Sequence, residues 1–495
     1  MPHDSRSEPS ARARVAAGSV LQIASRVAVL GCGLVLMGYL TRNLGLADYG
    51  RYALSVLLVN WAATSLALAT GGALVRLVAG NHDGHRYAVS MLQLSTIAGA
   101  GLGLALFLAA GPIASALKSP GIADLLRILA IELPLGAMAG IHLGVLTAQG
   151  KFLKNAGGVL AGWILQLAAA VAFVEGGLGS RGAAWAIVAS GFAQLLLART
   201  MSGLPIFSTE RVAFSELWAQ TRLLAAAQVA LRVSQGMDLL AVKYFLGAPA
   251  VAGLYAGAQN IGFAALMLFQ PTAPVVLQSL SKSRRGENPA EAARVGVTFI
   301  RVSLIYGGVL IALSVFSREI AVFLLGSQFS ECGPVLAVLL AAMAFRIQAV
   351  AGRTLLSAAG EKASILAPLF VMIVLAIAAF AIAIPRFGIL GGAAVAAALG
   401  LGTAIASLRD GLRLMNLAFP WATLLRTLIA ASATAAVALW LRGFSLHVLI
   451  ELTFATLLYA AALILLGEWK PTKARLLRLR DFFLRRPRDQ MTSAD

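Results

Sequence analysis

Apolar stretches of about 20 residues or more recur along almost the whole chain, and a segment of that length and composition is what crosses a bilayer as a helix. They fall near 16–40, 51–80, 87–111, 122–147, 157–176, 183–204, 222–246, 251–281, 293–317, 334–358, 365–385, 389–412, 420–441 and 446–468. Only closed barrels and helices satisfy their backbone polar groups in lipid, and segments this long and apolar read as helices. The sequence therefore predicts an all-α polytopic membrane protein with about 14 transmembrane helices. Apolar residues make up 59% of the chain and charged residues only 12%, which excludes a soluble domain. Pro271 and Pro274 are expected to break the eighth helix.

Against this background, four arginines stand out because they lie well inside apolar stretches: Arg26, Arg232, Arg301 and Arg346. An ionised side chain at the centre of a membrane helix costs roughly 2.5–3.5 kcal/mol on the most lenient scale, so such residues face a cavity and carry function. A cationic interior suits an anionic ligand. Arg76, Arg353 and Arg426 sit nearer helix ends, where long side chains snorkel to the interface.

The net charge of +19 does not call for nucleic acid. Most of the 40 Lys and Arg residues fall in the termini and in alternate loops, including Lys151, Lys154, Lys282, Arg284, Arg285, Arg409 and Arg413. That bias is the positive-inside pattern, and it places both termini in the cytoplasm. The polar segment 1–15 reads as a cytoplasmic tail leading into a retained first helix, with no cleavage pattern of a signal peptide. The basic tail 469–495 is expected to lie on anionic lipid headgroups. No loop is long enough for a domain. The largest are the link 205–221, with Glu210 and Glu216, and the segment 318–333. Cys32 and Cys332 form no disulfide frame or metal spacing, and the five histidines show none either. No cofactor or metal is expected.

Three pieces of the first half recur in the second. Leu44-Gly45, Gly50 and Tyr52 return as Leu246-Gly247, Gly253 and Tyr255. Leu146-x-Ala148-x-Gly150 returns as Leu356-x-Ala358-x-Gly360, and Gly179-x-x-Gly182 returns as Gly388-x-x-Gly391. The offset is about 202–210 residues throughout. The pattern predicts two parallel six-helix lobes, 16–204 and 222–412, related by an axis along the membrane normal with the substrate path between them. The link 205–221 joins them, and 413–468 holds two further helices. The polar lining follows the repeat. Gln22 and Arg26 lie one turn apart on the first helix, and Gln228 and Arg232 do so on the seventh, where Gln235 and Asp238 extend the stripe. These stripes are expected to face one central cationic cavity. Asp238 is a candidate for ion coupling, or for holding Arg232 and Lys243 in place; Glu132 is a second candidate for ion coupling.

The runs Leu40-Thr-Arg42-Asn-Leu-Gly45 and Asp48-Tyr-Gly50-Arg-Tyr52 resemble the first-loop signature of bacterial oligosaccharide flippases. So do Asp238 through Tyr255, Leu324-Leu325-Gly326 and Phe387-Gly-Ile-Leu-Gly391. These flippases belong to the multidrug, oligosaccharidyl-lipid and polysaccharide exporter (MOP) superfamily. The resemblance spans about residues 16–412. It implies a V-shaped pair of lobes, alternating access, no bond chemistry, and a polyprenyl-diphosphate-linked oligosaccharide as the substrate. In that reading Arg26, Arg232, Arg301 and Arg346 meet the diphosphate, since arginine offers planar, multidentate donors that stay protonated. Gln22, Asn60, Gln228 and Gln235 meet the sugars, and the lipid tail stays in the bilayer. Polymerising and exporting machinery would be the protein partners of such a carrier. The rivals are an antiporter of organic cations, whose cleft would be acidic and aromatic, a lipid II flippase, and a membrane glycan polymerase, which would need an extramembrane acceptor domain.

Overall fold

The computed structural model describes residues 11–80, 84–205, 212–285, 289–360, 366–441 and 447–468. All regular structure in it is helical. In the first half, α1 runs Ala11–Gly80, α2 Gly84–Ala116, α3 Gly121–Ala130, α4 Glu132–Ala148, α5 Phe152–Phe173 and α6 Gly179–Ser202. In the second half, α7 runs Phe214–Leu246, α8 Pro249–Phe269, α9 Thr272–Arg285, α10 Pro289–Leu313, α11 Ser317–Leu325, α12 Gly333–Ala359 and α13 Leu366–Leu414. Two helices follow, α14 Trp421–Leu441 and α15 Val448–Leu465. Among the described residues, ten helical stretches are long and apolar enough to cross a membrane. This is an all-helical, multi-pass membrane protein.

Three of those stretches, Ser25–Gly71, Phe152–Ser202 and Phe370–Leu414, run 47, 51 and 45 residues. Each is far longer than one bilayer crossing. A glycine outside helical geometry breaks each of them: Gly45 in α1, Gly177 before α6, and Gly388 in α13. Helices that the sequence reading separates at 40/51 are thus continuous α-helix apart from one bent residue. α7 does not count among the ten. Its apolar run is interrupted by Gln228, Arg232, Gln235 and Asp238, which lower its hydropathy. The break at Pro271 falls where proline predicts it, between α8 and α9.

The segment 318–333, expected to be a loop, is helical: α11 followed by a short 3₁₀ stretch, Ser327–Cys332. Its buried residues Ile320, Leu325, Phe329 and Cys332 explain why, because they pack it into the core instead of into solvent.

Positions that the internal repeat puts in register share backbone geometry. Gly179 has φ 53°, ψ −133°, and Gly388 has φ 60°, ψ −142°. Only glycine adopts that conformation without strain, so the same bend recurs at the same place in each half. The largest buried cluster draws on both halves at once, with Leu36, Tyr49 and Leu54 of α1, Tyr255 and Ile261 of α8, and Phe329, Leu336 and Leu339 from the α11–α12 region. Toward the other end the cores separate. Leu74, Met91, Leu92 and Ile141 form one within the first half, joined by Leu217 at the start of α7. Leu266, Phe299, Met343 and Ile347 form another in the second half. The two halves therefore share one core at one end and build separate cores at the other, where the start of α7 packs on the first half.

Side chains tie the fused end together by reaching for backbone carbonyls. Arg42 Nη2 donates to the Phe323 carbonyl at 2.7 Å and Gln328 Nε2 to that of Thr41 at 2.5 Å. Asn260 Nδ2 donates to Tyr49 Oη at 3.0 Å, and the Tyr49 ring meets Phe329 edge-on at 5.8 Å.

Candidate functional site

Two cavities open on either side of α8–α9. Phe263, Met267 and Pro271 face the first, and Leu266, Gln270 and Pro274 face the second. Arg26 of α1 lines the first and the α7 stripe lines the second, with α8 and α9 between them.

The second cavity holds about 570 Å³. One wall is α7, whose Gln228, Arg232, Gln235 and Asp238 all line it, as their spacing along one helical face requires. Arg346 and Arg353 of α12 enter from the opposite wall. Seven residues is nearly two turns, so these two arginines share a face. Arg353 had been expected at the interface, and its spacing from Arg346 is the signal that places it inside. Three guanidinium groups and one carboxylate thus line one space.

Much of that charge is held in place but not neutralised. Arg232 Nη1 lies 3.4 Å from Gln235 Oε1, while its Nε is buried with no hydrogen-bond partner. Gln228 Oε1 is likewise buried and unpartnered. Arg346 Nη1 donates to the Gln235 carbonyl at 3.3 Å, and its guanidinium lies 5.4 Å from the centre of the Phe263 ring. Asp238, only 2% exposed, accepts from Tyr255 Oη at 3.0 Å and from Gln259 Nε2 at 2.7 Å. Its hydrogen-bond partners are therefore on α8, and the charge acting on it is that of Arg346 on α12, not of Arg232 or Lys243. Six residues set Arg232 about 9 Å along α7 from Asp238, and Lys243 Nζ instead caps the helix by donating to the Gly247 carbonyl.

The first cavity, about 890 Å³, lies among α1, α4, α5, α6 and α8. Arg26, Asn60 and Glu132 line it. The Glu132 carboxyl sits against the Cα atoms of Gly136 and of Gly191 on α6, and its Oε2 is buried without a partner. Sequence reading missed Trp163, Gln166 and Gln194 on α5 and α6, and Asn260 on α8, because isolated amides in apolar helices form no stripe. The side chain of Gln22 and the tail 469–495 lie outside the described residues, as does the side chain of Arg76.

Arg301 lies in neither cavity. Its Nε and Nη2 both bond Glu468 Oε1, at 2.9 and 2.7 Å, and Arg426 Nη1 bonds Glu468 Oε2 at 2.9 Å. Thr423 Oγ1 adds a fourth bond at 2.7 Å. The carboxylate that claims Arg301 sits just past α15, where no apolar pattern announces it.

Among solved structures the chain is similar to a lipid II flippase, MurJ, in an inward closed conformation, with 13% identity over 94% of this chain and 99% of that one (TM-score 0.75). It is also similar to an inward-facing multidrug-resistance MATE transporter of the MOP superfamily, 13% identical over 80% and 98% of the two chains (TM-score 0.67). A third is a MOP-superfamily transporter from Pyrococcus furiosus Vc1 (DSM3638), described by the reverse polarity of its binding pocket. It is 13% identical over 81% and 95% (TM-score 0.62). At these identities the likeness establishes the fold. No curated protein matches the sequence. A family model described as polysaccharide biosynthesis protein matches residues 39–334, more than half of the chain. The chain belongs to that polysaccharide biosynthesis family and has the fold of these MOP-superfamily transporters.

Proposed function

We propose that the protein flips a polyprenyl-diphosphate-linked oligosaccharide across the bacterial cytoplasmic membrane for surface polysaccharide assembly, by rocking two six-helix lobes. The observation that carries this reading is the convergence of Arg232, Arg346 and Arg353 on one cavity with a single carboxylate among them. A diphosphate leaving water needs fixed, permanently charged donors, and guanidinium groups supply them in a planar fork. The unpartnered Arg232 Nε is one such donor. Gln228 and Gln235 stand beside it, while Arg26 and Asn60 face the head group from the first cavity. An exporter of organic cations would need the opposite polarity.

Counting each of the three bent stretches as two crossings, and adding α7, gives about fourteen spans. With an even number, and with the basic loops inside, both termini lie in the cytoplasm and the fused end of the lobes faces outward. The lobes would be 16–204 and 222–412, the mouth between them opening to the cytoplasm, where lipid-linked sugars are built. Basic residues of the 469–495 tail would hold anionic headgroups. Of the two acids, Asp238 serves to bind α7 to α8, and Glu132, with an oxygen free beside the first cavity, is the one suited to a coupling ion.

The test is reconstitution of the full-length protein in liposomes carrying a fluorescent polyprenyl-diphosphate glycan in the inner leaflet. Time-dependent exposure of the glycan to external lectin is expected. Efflux of a cationic dye without glycan exposure would replace the flippase reading with an antiporter.

A further inference from the structure

We infer that the two cavities divide the substrate's head group: the arginine cavity takes the diphosphate, and the first cavity takes the sugar rings. This rests on the flippase reading. It deepens that reading by assigning a carbohydrate site to α5 and α6, which carry none of the arginines that line either cavity.

Hydrogen-bond polarity separates the two spaces. The arginine cavity offers mainly donors. In the first cavity three amides commit donors to the protein: Asn155 Nδ2 donates to the Leu143 carbonyl at 2.7 Å and to Thr147 Oγ1 at 3.1 Å, while Gln194 Nε2, to the Gly158 carbonyl at 3.4 Å, and Asn260 Nδ2, to Tyr49 Oη at 3.0 Å, commit one of their two. Among the described residues their carbonyl oxygens have no such claim, and they line the cavity as acceptors. A phosphate, which is all acceptor, meets one arginine there against three in the other cavity. A sugar hydroxyl, which must donate, gains a partner at each. Formal charge points the same way, since Arg26 and Glu132 cancel in the first cavity and three arginines outweigh Asp238 in the second.

Apolar faces complete the site. The Trp163 ring rests against Gly33 of α1, within 3.4 Å of where a side chain there would begin, which fixes the indole as a platform beside the amides. Aromatic faces of this kind accept the C–H faces of pyranose rings while keeping a polar edge available. At about 890 Å³ the space lies at the upper end of small-molecule sites and has room for more than one ring.

The two spaces meet at Phe263. Its ring lines the first cavity and stacks on Arg346, which lines the second. The cavities are one aromatic ring apart there, so a sugar joined directly to a phosphate at Arg346 falls on Phe263. That residue is a positioning group at the junction, on a turn of α8 whose Gln259 holds Asp238 on one side and whose Asn260 holds Tyr49 on the other.

The experiment is photo-crosslinking of the full-length protein in cells that make the polysaccharide, fed a sugar carrying a diazirine, with adducts mapped by mass spectrometry. Adducts are expected on α5 and α6, in peptides holding Trp163 to Gln166 and Ser190 to Gln194, and on Phe263. Phe263→Leu should lower the yield on α5 and α6 several-fold without lowering protein abundance. Adducts confined to α7 and α12 would overturn the division and leave the flippase reading standing. Labelled polymer with no adduct on this chain would overturn both.

Discussion

Gly50 of α1 and Gly253 of α8, partners in the internal repeat, lie backbone to backbone. A side chain on Gly50 would fall on the Pro249 carbonyl, and one on Gly253 on the Leu46 carbonyl. The two halves thus cross at equivalent residues, at the end where they share a core. Backbone cannot yield as a flexible side chain can, so Gly50→Ala or Gly253→Ala should destabilise the joined state by about 1–3 kcal/mol. Cys332, fully buried in that shared core, is a built-in reporter. With Cys32 replaced by Ala, either glycine substitution should raise the alkylation rate of Cys332 about fivefold or more. Unchanged labelling and an unchanged melting temperature would mean that the crossing is not tight.

The arginine cavity predicts a graded loss. Arg232→Ala, Arg346→Ala and Arg353→Ala should each reduce glycan flipping at least tenfold in liposomes while protein abundance stays near normal. Losing a charge-assisted hydrogen bond removes roughly 1.5–3 kcal/mol. Lysine at the same positions should recover only part of the activity, because it keeps the charge and loses the fork. Full activity in Arg232→Lys would indicate that charge alone is needed there.

Much of the architecture can be read from residue type and spacing. Apolar length marked the helices, Pro271 marked the α8–α9 break, and the Gln228-Arg232-Gln235-Asp238 stripe lies along one cavity wall as written. What escaped depended on contacts between distant elements. Nothing near Arg301 in the sequence announces Glu468, and a buried charge is equally alarming whether a carboxylate or a substrate answers it. The segment 318–333 carries too short an apolar pattern to declare itself helical before its burial against α1 is known. Spacing also could not show that α8 stands between Arg26 and the α7 stripe, which line different cavities.

The Glu468 cluster predicts a stability effect in place of a transport defect. Arg301→Ala should lower the melting temperature and leave initial flipping rates nearly intact. Burial acts to raise the Glu468 carboxyl, but hydrogen bonds from Thr423, Arg426 and Arg301, with the Arg301 charge, outweigh it and hold the group below the usual glutamate range. A carboxyl depressed on folding contributes stability that is present above its unfolded pKa and lost as pH falls through the folded one. The wild-type melting temperature should therefore drop in acid, below the ordinary glutamate range, and Glu468→Gln should be less stable at neutral pH and flatter across that window. Parallel pH profiles for the two proteins would dismiss the assignment.

The seal at the fused end should be weak enough to open and specific enough to break by substitution. Its hydrogen bonds from Arg42 to Phe323 and from Gln328 to Thr41 both end on backbone carbonyls, so only the donor side can be removed. A charged donor contributes roughly 1.5–3 kcal/mol and a neutral one roughly 0.5–1.5. Arg42→Ala with Gln328→Leu should therefore shift the balance between sealed and open forms by at least an order of magnitude, since about 1.4 kcal/mol is tenfold. Spin labels at Ser115→Cys and Phe387→Cys, exposed positions in opposite halves, can report this in a background lacking Cys32 and Cys332. The pulsed-EPR distance distribution should gain a longer component in the double variant, and addition of the lipid-linked glycan should enlarge that component in the wild type. If the seal is only a packing contact, the distribution will not move. Transport would then have to proceed by some motion other than parting of the lobes at Arg42 and Gln328.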